Sequence, residues 1–197
     1  METIKALNPD LIIGNKEENE KGQILELMKR YPVWMSDVKT LEGAFSMMES
    51  IGKITGKETK ALKIQNDIRE QFAHFKLSTQ NSKPANRRVA YFIWKKPYIC
   101  AGANTFIDHL LQICGMENTF SGISRYPEVT KEKILKANPN LIFLSSEPYP
   151  FREKHIQEIK SICPQSKVIL VDGEMFSWYG SRLLYAPSYF EMLLQNL

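Results

Sequence analysis

The chain is poor in the residues that carry most metal and redox chemistry. Its three cysteines, Cys100, Cys114 and Cys163, are widely spaced, and none belongs to a Cys-x-x-Cys pair. That spacing supports neither a zinc knuckle nor a thioredoxin-type site, and it allows one internal disulfide at most. The three thiols read as small buried hydrophobes. Histidine is as scarce. His74, His109 and His155 all fall on expected helices away from strand ends, so a His-rich zinc or manganese site is not expected. Neither Gly-x-Gly-x-x-Gly nor Gly-x-x-x-x-Gly-Lys-Ser/Thr occurs, which removes the usual nucleotide cradles. Gly-x-Ser-x-Gly is also missing, and no nucleophile has a partner histidine in a recognisable motif; catalytic groups, however, converge in space rather than in sequence. The longest apolar runs, such as Val168–Val171, fall far short of the ~18 residues of a membrane helix. Neither sign of charge dominates: 26 Lys and Arg face 22 Asp and Glu, largely interleaved. This reads as solvated helix surface and not as a nucleic-acid footprint, which needs clustered basic residues.

What remains is an ordinary globular composition, 197 residues with 43% hydrophobic, enough for one large domain or two small ones. The opening residues show no basic region followed by an apolar stretch, so no signal peptide is visible at this start.

An internal repeat organises the chain. Residues 4–13 (IKALNPDLII) match 134–143 (ILKANPNLIF) at a fixed offset, with Ile4/Ile134, Asn8/Asn138, Pro9/Pro139, Leu11/Leu141 and Ile12/Ile142 identical. Each copy reads as a short helix stopped at Asn-Pro, followed by a strand. The apolar run is continuous, as a parallel strand covered on both faces requires. Two related α/β lobes are therefore expected.

The first lobe, residues 1–39, offers strands at Leu11–Gly14 and Tyr31–Met35 around a helix near Gly22–Arg30. Residues 40–81 are expected to be connecting helices. Leu41, Ala44, Phe45, Met48 and Ile51 keep helical spacing, Gly56 interrupts, and a charged helix follows over Glu58–Leu77. At 1.5 Å per residue that helix is a rod of ~30 Å, suited to a strut between lobes. The polar stretch Ser78–Arg88 is the expected boundary. Residues 82–197 alternate strands (Val89–Trp94, Leu141–Ser145, Lys167–Asp172) with helices (Thr105–Cys114, Thr130–Ala137, Phe151–Ile162, Leu183–Leu194), predicting a parallel sheet between helical layers. The first lobe lacks a counterpart of Val89–Ala137, so the chain is expected to begin inside that lobe.

Aromatic residues gather after the strands of the second lobe, where ligands of parallel α/β units sit. Trp94 and Tyr98 follow the first strand, Tyr149 and Phe151 the second, and Phe176, Trp178, Tyr179 and Arg182 the third; Arg125 and Tyr126 come from a long loop. Aromatic walls with a few polar groups suit a large, flat, amphipathic small molecule.

The sequence resembles the class III periplasmic binding proteins of ABC importers, the vitamin B12 and ferric-siderophore receptors. The resemblance is carried by Ile4–Gly14, Ile51–Glu58, Trp94–Gly102, Gly115–Phe120 and Tyr126–Leu135, in order and spacing. It implies an α/β fold of two Rossmann-like lobes with parallel sheets joined by a long backbone helix, the N-lobe incomplete here. It implies capture of cobalamin or a related metal chelate (ferric siderophore, haem) between lobes, with no resident cofactor and no protein-held metal. Trp94, Tyr98, Tyr126, Phe176 and Trp178 match ligand-facing positions; Arg182, read from its place after the third strand, is a candidate either to clamp an anion or to cap a helix carbonyl. One surface glutamate per lobe is expected to dock on the arginines of a membrane permease: Glu17, Glu18 or Glu20 in the first lobe, Glu147 or Glu174 in the second. The resemblance places the protein in the periplasm or on a membrane-anchored lipoprotein. The incomplete lobe is expected to favour dimerisation and weak ligand binding. The alternative reading is a cytoplasmic α/β domain handling cofactors, of the nitrogenase-like helical-backbone type.

Overall fold

The computed structural model describes residues 2–80 and 87–197. The expected boundary at 81–82 lies outside the described residues. The chain forms two compact units, Met1–Val38 and Lys39–Leu197.

The first unit runs α1 (Glu2–Leu7), β1 (Ile12–Asn15), α2 (Lys21–Met28) and β2 (Val33–Ser36). The strands pair in parallel, Ile12 opposite Val33 through Asn15 opposite Ser36, so α2 is the crossover helix that parallel pairing requires. The second strand begins two residues later than the sequence suggests. Pro32 has no N–H to give the ladder, and its carbonyl instead accepts from Ile12 N at 3.0 Å.

In the second unit α3 (Leu41–Thr55) is capped by Thr40, whose hydroxyl accepts from Gly43 N at 3.1 Å, and is closed by Gly56 in the left-handed conformation, φ 61°. The long helix α4 (Glu58–Ser78) follows with 21 residues. It buries Gln65, Ile68, Phe72 and Phe75, a single stripe at helical spacing. Gly52 lets the two helices approach, since a Cβ there would stand 2.7 Å from that of Ala61.

The remaining elements are β3 (Arg88–Trp94), β4 (Tyr98–Cys100), α5 (Phe106–Ile113), β5 (Glu117–Asn118), β6 (Glu128–Val129), α6 (Lys131–Ala137), β7 (Leu141–Ser145), α7 (Glu153–Ile162), β8 (Lys167–Val171), α8 (Gly173–Ser177), a 3-10 turn (Ser181–Leu184) and α9 (Ala186–Gln195). Strands β3, β7 and β8 form the expected parallel centre, in register from Val89 opposite Leu141 and Leu141 opposite Lys167. The sheet order is β6-β4-β3-β7-β8, with β5 also on β3.

Two strands depart from the all-parallel expectation, and a third adds a parallel pairing that the sequence does not suggest. Strand β4 returns antiparallel on β3, and β6 pairs antiparallel with β4; short β5 joins β3 in parallel. Two or three residues are too few to show a period, so only tertiary pairing reveals them. The last helix also divides. Pro187 opens α9, where its missing N–H costs nothing, and the residues before it tighten into the 3-10 turn.

Alternation along β3 builds the core on both faces of the sheet. Ala90 and Phe92 join Ile142, Leu144, Ile134 of α6 and Ile159 of α7. Tyr91 points the other way, with Phe176 of α8 at 5.1 Å; Phe176 meets Phe190 of α9 at 4.8 Å, which meets Phe75 of α4 at 6.1 Å. Every residue of β7 is buried, which is why its sequence is apolar without alternation.

Candidate functional site: the loops after the parallel strands

The carboxyl ends of β3, β7 and β8 release three loops, tied together by one polar chain. The Tyr91 hydroxyl donates to Ser145 Oγ at 3.2 Å, at the end of β7. The next loop carries Glu147, whose Oε1 accepts from Trp178 Nε1 at 2.7 Å and from Ser177 Oγ at 2.9 Å. Trp178 follows α8 immediately, so these bonds join the loop after β7 to the segment after β8. Close approach depends on Gly173: a Cβ there would stand 2.4 Å from Ser145 Oγ and 2.6 Å from Glu147 Cγ. Its N–H donates to Ser146 Oγ at 2.9 Å. Asp172 caps α8, accepting from Glu174 N at 3.0 Å, and its own N–H donates to Tyr189 Oη at 2.9 Å.

The aromatic residues sort into two sets. Trp94 and Trp178 are exposed, at 39% and 51%. Trp94 stands edge-on to Tyr149 at 5.7 Å, and Tyr149 packs on Phe151 at 4.7 Å. Phe176, expected to face ligand, is fully buried. It fills the core between Tyr91, Phe143, Tyr189 and Phe190, because α8 turns it inward. Tyr98 is half-buried on β4, its ring on Phe92 at 5.7 Å and its hydroxyl donating to Glu158 Oε1 at 2.7 Å. Lys95 pairs with the other oxygen of Glu158. Hydrogen bonds from Lys95 and Tyr98 hold the Glu158 carboxyl below the usual range, while burial raises the Tyr98 phenol. Tyr126 is half-buried on the loop between β5 and β6.

The charged candidates of the second unit are spoken for. Arg182 pairs with Glu174 at 2.6 Å, so the expected anion clamp and one expected docking carboxylate neutralise each other. Glu147 is bound to Trp178 and Ser177 as described. In the first unit Glu17 is half-buried, Glu18 is exposed, and exposed Glu20 accepts from Gln23 Nε2 at 2.9 Å.

His155 overturns its expected place away from strand ends. It sits in the first turn of α7, 4% exposed, with its ring against the loop that follows β7. Its Nδ1 accepts from Arg152 N at 2.9 Å. The signal available in the sequence was its spacing of three residues from a helix start, which suits a side chain that caps.

Among the described residues no His, Cys, Asp and Glu cluster could hold a metal ion, and no helix is long and apolar enough to cross a membrane. Burial raises the thiols of Cys100 and Cys114, which keeps both protonated and unreactive.

Comparison with known proteins agrees with this architecture. The chain is 25% identical to the vitamin B12-binding protein of Pectobacterium carotovorum over 94% of its length and 67% of the relative's. It is 28% identical to that of Vibrio parahaemolyticus over 74% of the chain and 53% of the relative. The chain therefore spans between about half and two thirds of these relatives. The solved periplasmic vitamin B12-binding protein of Vibrio cholerae superposes with a TM-score of 0.77 at 22% identity, covering 100% of the chain and 79% of that structure. A periplasmic haem-binding protein from Pseudomonas aeruginosa gives 0.79 at 19% identity, over 98% and 74%. These two structures share the fold. The family model described as periplasmic binding protein matches residues 1–162, and the chain belongs to that family.

Proposed function

We propose that this chain is the substrate-binding component of an ABC importer that captures cobalamin or a related metal chelate, such as haem or a ferric siderophore. The observation that carries the reading is the exposed pair Trp94 and Trp178 at the carboxyl ends of a parallel sheet, in a chain of the periplasmic binding protein family. Exposed indoles held in fixed positions suit a broad, flat macrocycle with an apolar face. Tyr149 backs Trp94, and Glu147 anchors Trp178, so neither ring must be ordered at the moment of binding. The role is binding and delivery, without catalysis.

The partner is a membrane permease, and the site of action is the periplasm or the surface of a lipid-anchored protein. Glu17, Glu18 and Glu20 are the docking candidates of the first unit. In the second unit Glu147 and Glu174 already bind Trp178 and Arg182, so a docking arginine would share or replace those contacts. The relatives' names favour this role over cofactor handling in a cytoplasmic domain. Exposed apolar residues of the first unit support self-association of the chain.

Titration of cyanocobalamin, haemin and ferrichrome against tryptophan fluorescence tests the reading. Saturable quenching by one of them, weakened about tenfold or more in Trp178→Ala, is expected. No response to any of the three would refute it.

A further inference from the structure

The loop that carries Tyr149 is closed from beneath by a histidine. His155 Nδ1 accepts the N–H of Arg152, so the lone pair is used there and the proton of the neutral ring lies on Nε2. Nε2 faces the Tyr149 hydroxyl at 3.4 Å. The ring also packs edge-on to Tyr149 and Phe151, each at 5.5 Å, and Tyr149 in turn supports Trp94. One imidazole therefore caps the start of α7, fixes the loop after β7 and backs the exposed wall.

We propose that His155 is a positioning residue of the ligand face, and that its protonation unlocks the Tyr149–Trp94 wall. This rests on the assignment of that wall as the ligand face.

The chemistry follows from the bond at Nδ1. A protonated ring carries N–H at both nitrogens, so Nδ1–H meets the Arg152 N–H donor to donor. The bond is lost, and a buried cation stands among aromatic rings. The charges around it oppose protonation in sum. Lys95 comes from the turn before β4, Arg152 from the loop and Lys154 from α7; Glu158 of α7 is the opposing carboxylate, itself engaged by Lys95 and Tyr98. Burial leads these causes, and the ring is held below its ordinary value. The wall is thus set at neutral pH and released as acid is added, which lowers affinity and favours discharge of cargo.

The test has a ligand-free arm and a ligand arm, both on the full chain. In the first, amide exchange of Arg152, corrected for intrinsic rates, is followed from about pH 7.5 to about pH 4.5. Acrylamide quenching of Trp94 is followed in parallel in a Trp34→Phe, Trp178→Phe background. Expected is a loss of Arg152 protection of about tenfold, with a matching rise in Trp94 quenching, both flattened in His155→Asn. The asparagine oxygen can accept from Arg152 N–H and does not titrate. Tyr149→Phe provides a second variant: Arg152 should still respond to pH, while Trp94 should respond less. Equal pH profiles in wild type and His155→Asn, or no pH response in wild type, would overturn the proposal.

In the ligand arm, equilibrium dialysis measures the Kd of cyanocobalamin and haemin at both pH values. The acid-to-neutral ratio of Kd should be about tenfold larger in wild type than in His155→Asn. Equal ratios would also overturn the proposal. If neither probe binds at neutral pH, the receptor reading fails for these ligands, and the ligand-free arm still decides the role of His155.

Discussion

The indole nitrogen of Trp178 donates to Glu147 Oε1 at 2.7 Å, joining two loops across 31 positions of sequence. The same oxygen accepts from Ser177 Oγ, so one carboxylate sets both the exposed ring and the end of α8. Glu147→Ala should free the indole, raising acrylamide quenching of Trp178, and should cost about 1 kcal/mol of stability. Glu147→Gln keeps an acceptor oxygen and should preserve most of both. Equal quenching in Ala and Gln variants would show that the bond does not hold the ring.

Gly173 permits this contact by having no side chain. Gly173→Ala would put a Cβ 2.4 Å from Ser145 Oγ, forcing the loops apart at a cost of about 1–3 kcal/mol. Gly122→Ala meets nothing within 4 Å and serves as the control. Chemical denaturation of both variants decides; an unchanged midpoint for Gly173→Ala would contradict the packing described.

The Lys95–Glu158–Tyr98 cluster predicts a pH dependence. Glu158 is held below its ordinary value, chiefly by the hydrogen bond from Lys95. A depressed carboxyl stabilises the fold above its unfolded value of 4.5, and the stabilisation fades as pH falls through the folded value. The stability difference between wild type and Glu158→Gln should therefore be largest at neutral pH and shrink in acid. Denaturation midpoints at a series of pH values measure it, and a difference that grows on acidification would refute the assignment.

Asn138 closes α6 in the left-handed conformation, φ 45°. A side chain with a Cβ normally pays for that conformation, and asparagine pays least after glycine. Asn138→Ala should lose about 1 kcal/mol, whereas Asn138→Gly should be near neutral. A thermal scan that ranks them in the reverse order would remove the cap from the account of this turn.

The first unit exposes Leu7, Ile13, Leu25 and Met28, and among the described residues its two strands pair only with each other. Two strands alone rarely stand in water. Sedimentation at tens of micromolar should show self-association that Ile13→Lys reduces. A monomer under those conditions would count against it.

Much of the fold was legible because it follows from local chemistry. The repeat at 4–13 and 134–143 places Asn8 and Asn138 alike, φ 43° and 45°, each between a helix and a parallel strand. Asparagine tolerates that turn, proline forbids more helix, and the apolar run that follows needs cover on both sides. The same rules located α3, α4, β3, β7 and β8. Strands β4, β5 and β6 were not legible, since so few residues carry no period and exist by pairing alone.

The aromatic residues show where sequence stops. It determined that Trp94, Tyr149, Phe176 and Trp178 come at the ends of parallel strands. Only the tertiary structure decided that Phe176 fills the core while Trp178, two residues later, stands in solvent. Helix α8 has five residues, too short to display an apolar face, so its orientation is set by Tyr91 and Phe190 packing on it. Likewise no spacing joins Glu147 to Trp178 or turns His155 toward Tyr149. Those contacts depend on which loops the sheet brings together, and that is fixed by the register of strands far apart in the chain.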